Sequence, residues 1–121
     1  MTPKISKHFR ESECRCNCGC GKMVINKDLV SMLEDARKLA GIPFTITSWT
    51  RCEEHNEKVG GSNNSEHLKG MAVDIVAISS TGRYLIISAL LRAGFRRIGI
   101  AKNFIHAGID SSKPWNCIWV Y

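Results

Sequence analysis

No apolar run in this chain approaches the roughly 20 residues needed to cross a bilayer, so no transmembrane segment is expected. The first ten residues, Met1 to Arg10, are polar and basic and lack the apolar core of a signal peptide. Export would therefore use another route, or belong to a longer chain than this one. There is no internal repeat, no low-complexity segment and no linker, which at 121 residues argues for one domain with one modest core over 1–121. The basic residues are scattered apart from a short cluster at Arg92 to Arg97. The aromatic-basic array of a nucleic-acid binder is missing, so no nucleic-acid partner is expected.

What is present is an ordinary globular composition, 44% hydrophobic and 23% charged. Net charge is +6, from 17 basic and 11 acidic residues, which favours an anionic partner without choosing one. Nucleic acid and bacterial wall polymers both qualify, and a merely solvated surface is the plainer reading. Six cysteines are many for this length, and Cys14, Cys16, Cys18 and Cys20 alternate within seven residues. Strand geometry would set all four on one face. A second, structural metal there, disulfides to Cys52 or Cys117, and reduced buried thiols are the three readings; the spacing is not the usual Cys-x2-Cys pair.

Residues 1–25 read as an irregular, cysteine-rich N-terminal segment. Asn26 is a plausible N-cap, and Leu29, Met32, Leu33, Ala36 and Ala40 follow at helical spacing until Gly41 and Pro43. Phe44 to Trp49 alternates and is rich in β-formers. Residues 50–64 are polar and glycine-containing, a loop with a short helix around Glu53 to Lys58. Met71 to Ile78 reads as a buried strand. Thr81 is placed as the cap of a second helix ending at Gly94. Strands near Arg97 to Ala101 and Phe104 to Ile109 are joined by Lys102-Asn103, and Cys117 to Tyr121 is the last. This order predicts an α+β fold, a small, largely antiparallel sheet with helices packed on one face.

The chemistry gathers in Ser65-Glu66-His67-Leu68-Lys69-Gly70-Met71-Ala72-Val73-Asp74. An imidazole and a carboxylate seven positions apart suit a loop that delivers His67 and a strand that delivers Asp74. Nitrogen and carboxylate oxygen together suit zinc. His106 is the candidate third ligand, because Ile105 and Ala107 beside it point to the other face of its strand. His8 lies in the N-terminal segment and His55 in the loop, where it could line a site. Two histidines and one aspartate leave a coordination position for water, as in a catalytic rather than a structural zinc site. A hydrogen-bonded core histidine is the competing reading of each imidazole.

Ser65-x-His67-x-x-Gly70-x-Ala72-x-Asp74 resembles the signature of the M15 family of zinc D-Ala-D-Ala peptidases, whose fold is shared by the signalling domain of hedgehog. Other stretches match in order. Thr47-Ser48-Trp49-Thr50-Arg51 resembles the family's Ser-Gly-Tyr-Arg stretch. Asn56 through Gly61, then Asn64-Ser65, resemble its Asn-x-x-Val-Gly-Gly lead. Phe104-Ile105-His106 resembles its second metal motif, and His8-Phe9 through Gly21 resembles small bacterial and phage members. The resemblance covers residues 8 to 121. It implies one catalytic Zn2+ on His67, Asp74 and His106, with Arg51 at the substrate carbonyl stabilising the oxyanion and Ser65 supporting the site. Alone, Arg51 would read as a surface cation and Ser65 as a turn residue. Glu66 stands where many members carry Gln, so no catalytic role is expected for it.

Two positions depart from the pattern. Many members place a carboxylate three residues before the last histidine as general base, where this chain has Asn103; small members often have Asp two residues after it, where this chain has Gly108. Asp110, on the His106 face by strand parity, is the candidate base, with Glu53 or Glu54 as alternatives. The implied activity is hydrolysis of D-amino-acid peptide bonds in the peptidoglycan stem peptide, as D-Ala-D-Ala carboxypeptidase or murein endopeptidase. Such a monomer would be made in the cytoplasm and act at the cell wall or periplasm. A phage or viral lysis protein, released by a partner such as a holin, fits the size. The alternative is a non-catalytic zinc module that recognises a wall peptide or a protein partner, which Asn103 and Gly108 favour.

Overall fold

The computed structural model describes residues 2–121. A short helix α1 (Glu11–Cys14) precedes the long helix α2 (Lys27–Ala40). Asn26 caps α2, its side chain accepting from the amides of Asp28 and Leu29, and Gly41 ends it in the left-handed conformation. Strand β1 (Ile46–Ser48), helix α3 (Glu53–Lys58), a 3-10 helix (Glu66–Lys69) and strand β2 (Ala72–Val76) follow. Helix α4 (Ser80–Arg92) is capped by Ser79, whose Oγ accepts from Gly82 N at 2.9 Å. The expected cap, Thr81, instead lies inside the first turn. Strands β3 (Arg97–Ile100), β4 (Phe104–Gly108) and β5 (Cys117–Val120) complete the chain.

The five strands form one sheet in the order β1-β2-β4-β3-β5. All neighbours run antiparallel except β3 and β5, an edge pair that is parallel. The α+β expectation therefore holds, with a mixed sheet. Val73, Ile75, Ile98, Ile105 and Ala107 point to one face and share a core with Leu29, Leu33 and Ala36 of α2 and Ile86, Ala89 and Leu90 of α4. No helix among the described residues is long and apolar enough to cross a membrane.

Side chains of opposite parity define the other face. Ser48 pairs with Asp74, Asp74 with His106, His106 with Gly99, and Gly99 with Trp119, so one row crosses all five strands. The next row sets Ala72, Gly108, Arg97 and Cys117 side by side. An apolar face fixes this register, since a one-residue slip would turn Ile105 and Ala107 out of the core.

The cysteines do not follow strand parity. Cys14 closes α1 and is buried, its Sγ 3.4 Å from both Val24 O and Thr50 Oγ1. Cys16, Cys18 and Cys20 lie in the turns beyond. None of the six is joined in a disulfide.

Candidate metal centre

Three elements deliver the central side chains. Ser65 caps the 3-10 helix, its Oγ accepting from His67 N at 3.3 Å, and the helix holds His67 over the sheet. Asp74 and His106 come from paired positions at the middle of β2 and β4. All three are nearly sealed from solvent, at 2%, 5% and 5% exposure.

Their hydrogen bonds fix where the protons sit. His67 Nδ1 is 2.7 Å from the carbonyl oxygen of Trp49, which can only accept, so Nδ1 carries the proton. That turns the Nε2 lone pair toward Asp74 Oδ1, 3.1 Å away. His106 Nε2 is 2.7 Å from Glu66 Oε2 and donates to it, which turns its Nδ1 toward the same Asp74 Oδ1, also at 3.1 Å. Two imidazole lone pairs and an anionic oxygen thus converge on one point. In a buried site that arrangement requires positive charge among them. Either both rings take a second proton, putting two imidazolium rings 5.0 Å apart, or a cation occupies the point. The three donor atoms lie within 4.8 Å of one another. Two neutral nitrogens and one carboxylate oxygen are a donor set that fits zinc.

Without a metal, the surrounding charges keep both carboxylates ionised and favour a second proton on His106, which a bound metal ion would displace. Burial alone would raise the Asp74 carboxyl, but hydrogen bonds from His106 and His67, and their charge, hold it well below the ordinary range. Burial works against protonated His106, yet the Asp74 and Glu66 carboxylates outweigh it and raise its pKa. Glu66 resists the same effect of burial through His106, the Asp110 amide and Arg97, and its pKa is lowered. Each carboxylate has its own arginine: Arg51 Nη2 donates to Asp74 Oδ2 at 3.2 Å, and Arg97 Nε donates to Glu66 Oε2 at 3.1 Å.

A cleft of about 490 Å³ opens above the three ligands. Arg51, Ser65, Lys113, Trp119 and Tyr121 are among its walls. Arg51 is held by Ser48 Oγ at 3.0 Å, Asn56 Oδ1 at 3.2 Å and Asp74, using three of the five N–H groups of a guanidinium. Two of its donors have no partner among the described residues. The Trp119 ring lies beside His106, centroids 5.3 Å apart, with the Arg97 guanidinium 5.0 Å from its centre.

His67, Asp74 and His106 are therefore brought together, with Arg51 and Ser65 at their side, as the sequence predicts. Asp110 is placed differently. β4 ends at Gly108, so strand parity does not extend to it. Its Oδ1 accepts from Ser112 N and Oγ, its Oδ2 from Lys69 Nζ at 2.9 Å, and it is not part of the cleft wall. These bonds overcome burial and hold its carboxyl down to about 2, an unsuitable value for a base. Glu53 and Glu54 are exposed on the first turn of α3 and also lie outside the cleft wall. His55 is on α3 away from the cleft, His8 pairs with Glu34 at 2.6 Å, and Asn103 is exposed in the β3–β4 turn. Asp74 and Glu66 are the carboxylates in the cleft wall among the described residues.

Sequence reasoning passed over Glu66. Its carboxylate orients His106 from behind, as metal-bound histidines are commonly oriented by a carboxylate on their second nitrogen. The available signal was a paired change: a carboxylate gained beside His67 and one missing at Gly108.

A family model described as Peptidase M15 matches residues 7–108. A search of the curated proteins finds no match.

Proposed function

The chain belongs to the peptidase M15 family, a family of zinc-dependent metallopeptidases, and from that premise we propose that it hydrolyses D-amino-acid-containing peptide bonds of peptidoglycan. The observation that carries this reading is the convergence of His67 Nε2, Asp74 Oδ1 and His106 Nδ1 at the floor of an open cleft, beside an arginine with donors to spare. When bound there by these three residues, zinc supplies Lewis acidity, polarising the scissile carbonyl and lowering the pKa of a water molecule.

The chain's own residues do the rest. Arg51 donates its two free N–H groups to the carbonyl oxygen as negative charge develops on it. It is already fixed by Ser48, Asn56 and Asp74, so little reorganisation is needed. Glu66 holds the proton on His106 Nε2 and so keeps Nδ1 aimed at the ligand point. Trp119 and Tyr121 give the cleft an apolar wall for the methyl groups of a stem peptide, and Lys113 offers a cation to a peptide carboxylate. Asp110 serves the site indirectly, its amide donating to Glu66 Oε1 at 3.1 Å.

The second reading is a metal-containing module that binds wall peptides without cutting them. It is favoured by one observation: the two carboxylates of the cleft wall are both committed, Asp74 to the ligand point and Glu66 to His106 and Arg97. Zinc-loaded protein incubated with purified peptidoglycan and analysed by mass spectrometry separates the two. The peptidase reading expects free D-Ala or shortened stem peptides, lost in His67→Ala and on chelation. Saturable binding with an unchanged muropeptide profile would leave the binding module.

A further inference from the structure

Four thiols outside the cleft form a second convergence. Cys16, Cys18, Cys20 and Cys52 have sulfur atoms within 4.8 Å of one another. Cys16 Sγ is 3.5 Å from Cys18 Sγ and 3.8 Å from Cys52 Sγ, and Cys18 Sγ is 3.6 Å from Cys52 Sγ. A zinc ion at about 2.3 Å from four tetrahedral sulfurs sets them about 3.8 Å apart. The three spacings among Cys16, Cys18 and Cys52 lie near that edge, and Cys20 Sγ is within 4.8 Å of the others.

Backbone donors point at the same sulfurs. Cys52 N donates to Cys16 Sγ at 3.4 Å, Lys22 N to Cys20 Sγ at 3.5 Å, and His55 N to Cys52 Sγ at 3.3 Å. Amides directed at sulfur stabilise thiolates, the form that binds metal. The chain reaches this arrangement through two tight reversals: Gly19 and Gly21 both have φ of +85°, which L side chains rarely adopt. The fourth sulfur comes from the N-cap of α3, 36 positions from Cys16, so the cluster is made by the tertiary fold.

We propose that Cys16, Cys18, Cys20 and Cys52 form a structural tetrathiolate site for a zinc ion, separate from the histidine site. Four protein ligands close the coordination sphere, so the site holds metal and carries out no reaction. Its effect is on the neighbouring chain. Cys52 follows Arg51, whose amide donates to His67 O at 3.0 Å. The ion would fasten the N-terminal turns to the segment that carries Arg51 into the cleft. This inference does not depend on the peptidase reading.

The test is metal content and cobalt spectroscopy of the full chain purified under reducing conditions. Wild-type protein is expected to bind two equivalents of zinc. Cobalt-substituted protein is expected to show a thiolate-to-cobalt charge-transfer band. His67→Ala/His106→Ala should keep one equivalent and the whole band, and Cys18→Ser/Cys52→Ser should keep one equivalent and lose the band. If the cysteine variant does not fold, the wild-type and histidine-variant spectra still decide. Saturation of the wild type at one equivalent without the band would overturn the proposal. So would two disulfides among residues 16, 18, 20 and 52 in protein isolated anaerobically without reductant.

Discussion

A Cβ placed on Gly108 would fall 2.1 Å from Glu66 Oε2 and 2.2 Å from its Cδ. The space above residue 108, on the strand that carries His106, is filled by a carboxylate arriving from the 3-10 helix. Gly108 and Glu66 are thus one solution to one requirement. The carboxylate behind His106 Nε2 comes from Glu66, and the room for it exists because position 108 has no side chain.

Gly108→Ala therefore pushes Glu66 off His106 and Arg97. The expected cost is about 1–3 kcal/mol, the usual range for overpacking a buried position, measured by urea denaturation. Glu66→Ala/Gly108→Ala should cost less than the sum of the two single changes, because removing the carboxylate removes the clash. Additive single effects would dissociate the two positions.

Glu66→Ala removes the acceptor of the His106 Nε2 proton and the carboxylate partner of Arg97. Affinity for zinc at the histidine site is expected to fall by about 10–100-fold, read by competition with a chelating dye. Glu66→Gln keeps an acceptor for the His106 N–H, so its loss should be smaller.

Much of this was legible in the chain, and what was not has physical causes. The α2 stripe and the alternation around His106 are repetitive local signals, and α2 starts at Lys27, directly after its predicted cap Asn26. Ser79 and Thr81 are both competent caps two positions apart, and α4 uses Ser79, whose side chain accepts from Gly82 N. Parity misplaced Cys14 because a helical turn interrupts the alternating cysteines, and it misplaced Asp110 because β4 stops two residues earlier. The roles of Glu66 and Cys52 rest on contacts 40 and 36 positions away, which no local pattern carries.

On the proposed reading, Arg51→Ala removes the oxyanion donor, and with it one hydrogen bond to Asp74 Oδ2, while His67, Asp74 and His106 are themselves unchanged. On wall peptides kcat is expected to fall by about 10²–10³-fold, with zinc at the histidine site retained. Arg51→Lys should recover little, since the three donors of an ammonium would all be needed for Ser48, Asn56 and Asp74, leaving none for the carbonyl oxygen. Loss of zinc from the histidine site in Arg51→Ala would assign the residue to metal retention.

The metal-free protein should have a bounded pH window. Asp74 and Glu66 have lowered pKa values, so their contribution is complete above the unfolded range near pH 4 and is lost as pH falls through their folded values. His106 has a raised pKa, so its contribution is complete below about pH 6.5 and is lost as pH rises through its folded value. Metal-free Tm is expected to be highest between roughly pH 5 and 6.5 and to decline as pH rises through the raised pKa of His106. Zinc competes with protons for the imidazoles, so its stabilisation should instead grow across that alkaline range. Scanning calorimetry with and without zinc checks both slopes.

The most direct measurement is a crystal structure of the zinc-loaded protein with anomalous data collected at the zinc edge. The expected result is a peak bound by His67 Nε2, Asp74 Oδ1 and His106 Nδ1, each at about 2.0–2.2 Å, with a coordination position open to the cleft. A histidine cluster without an anomalous peak in zinc-saturated crystals, or an ion held there by four protein ligands, would contradict the account.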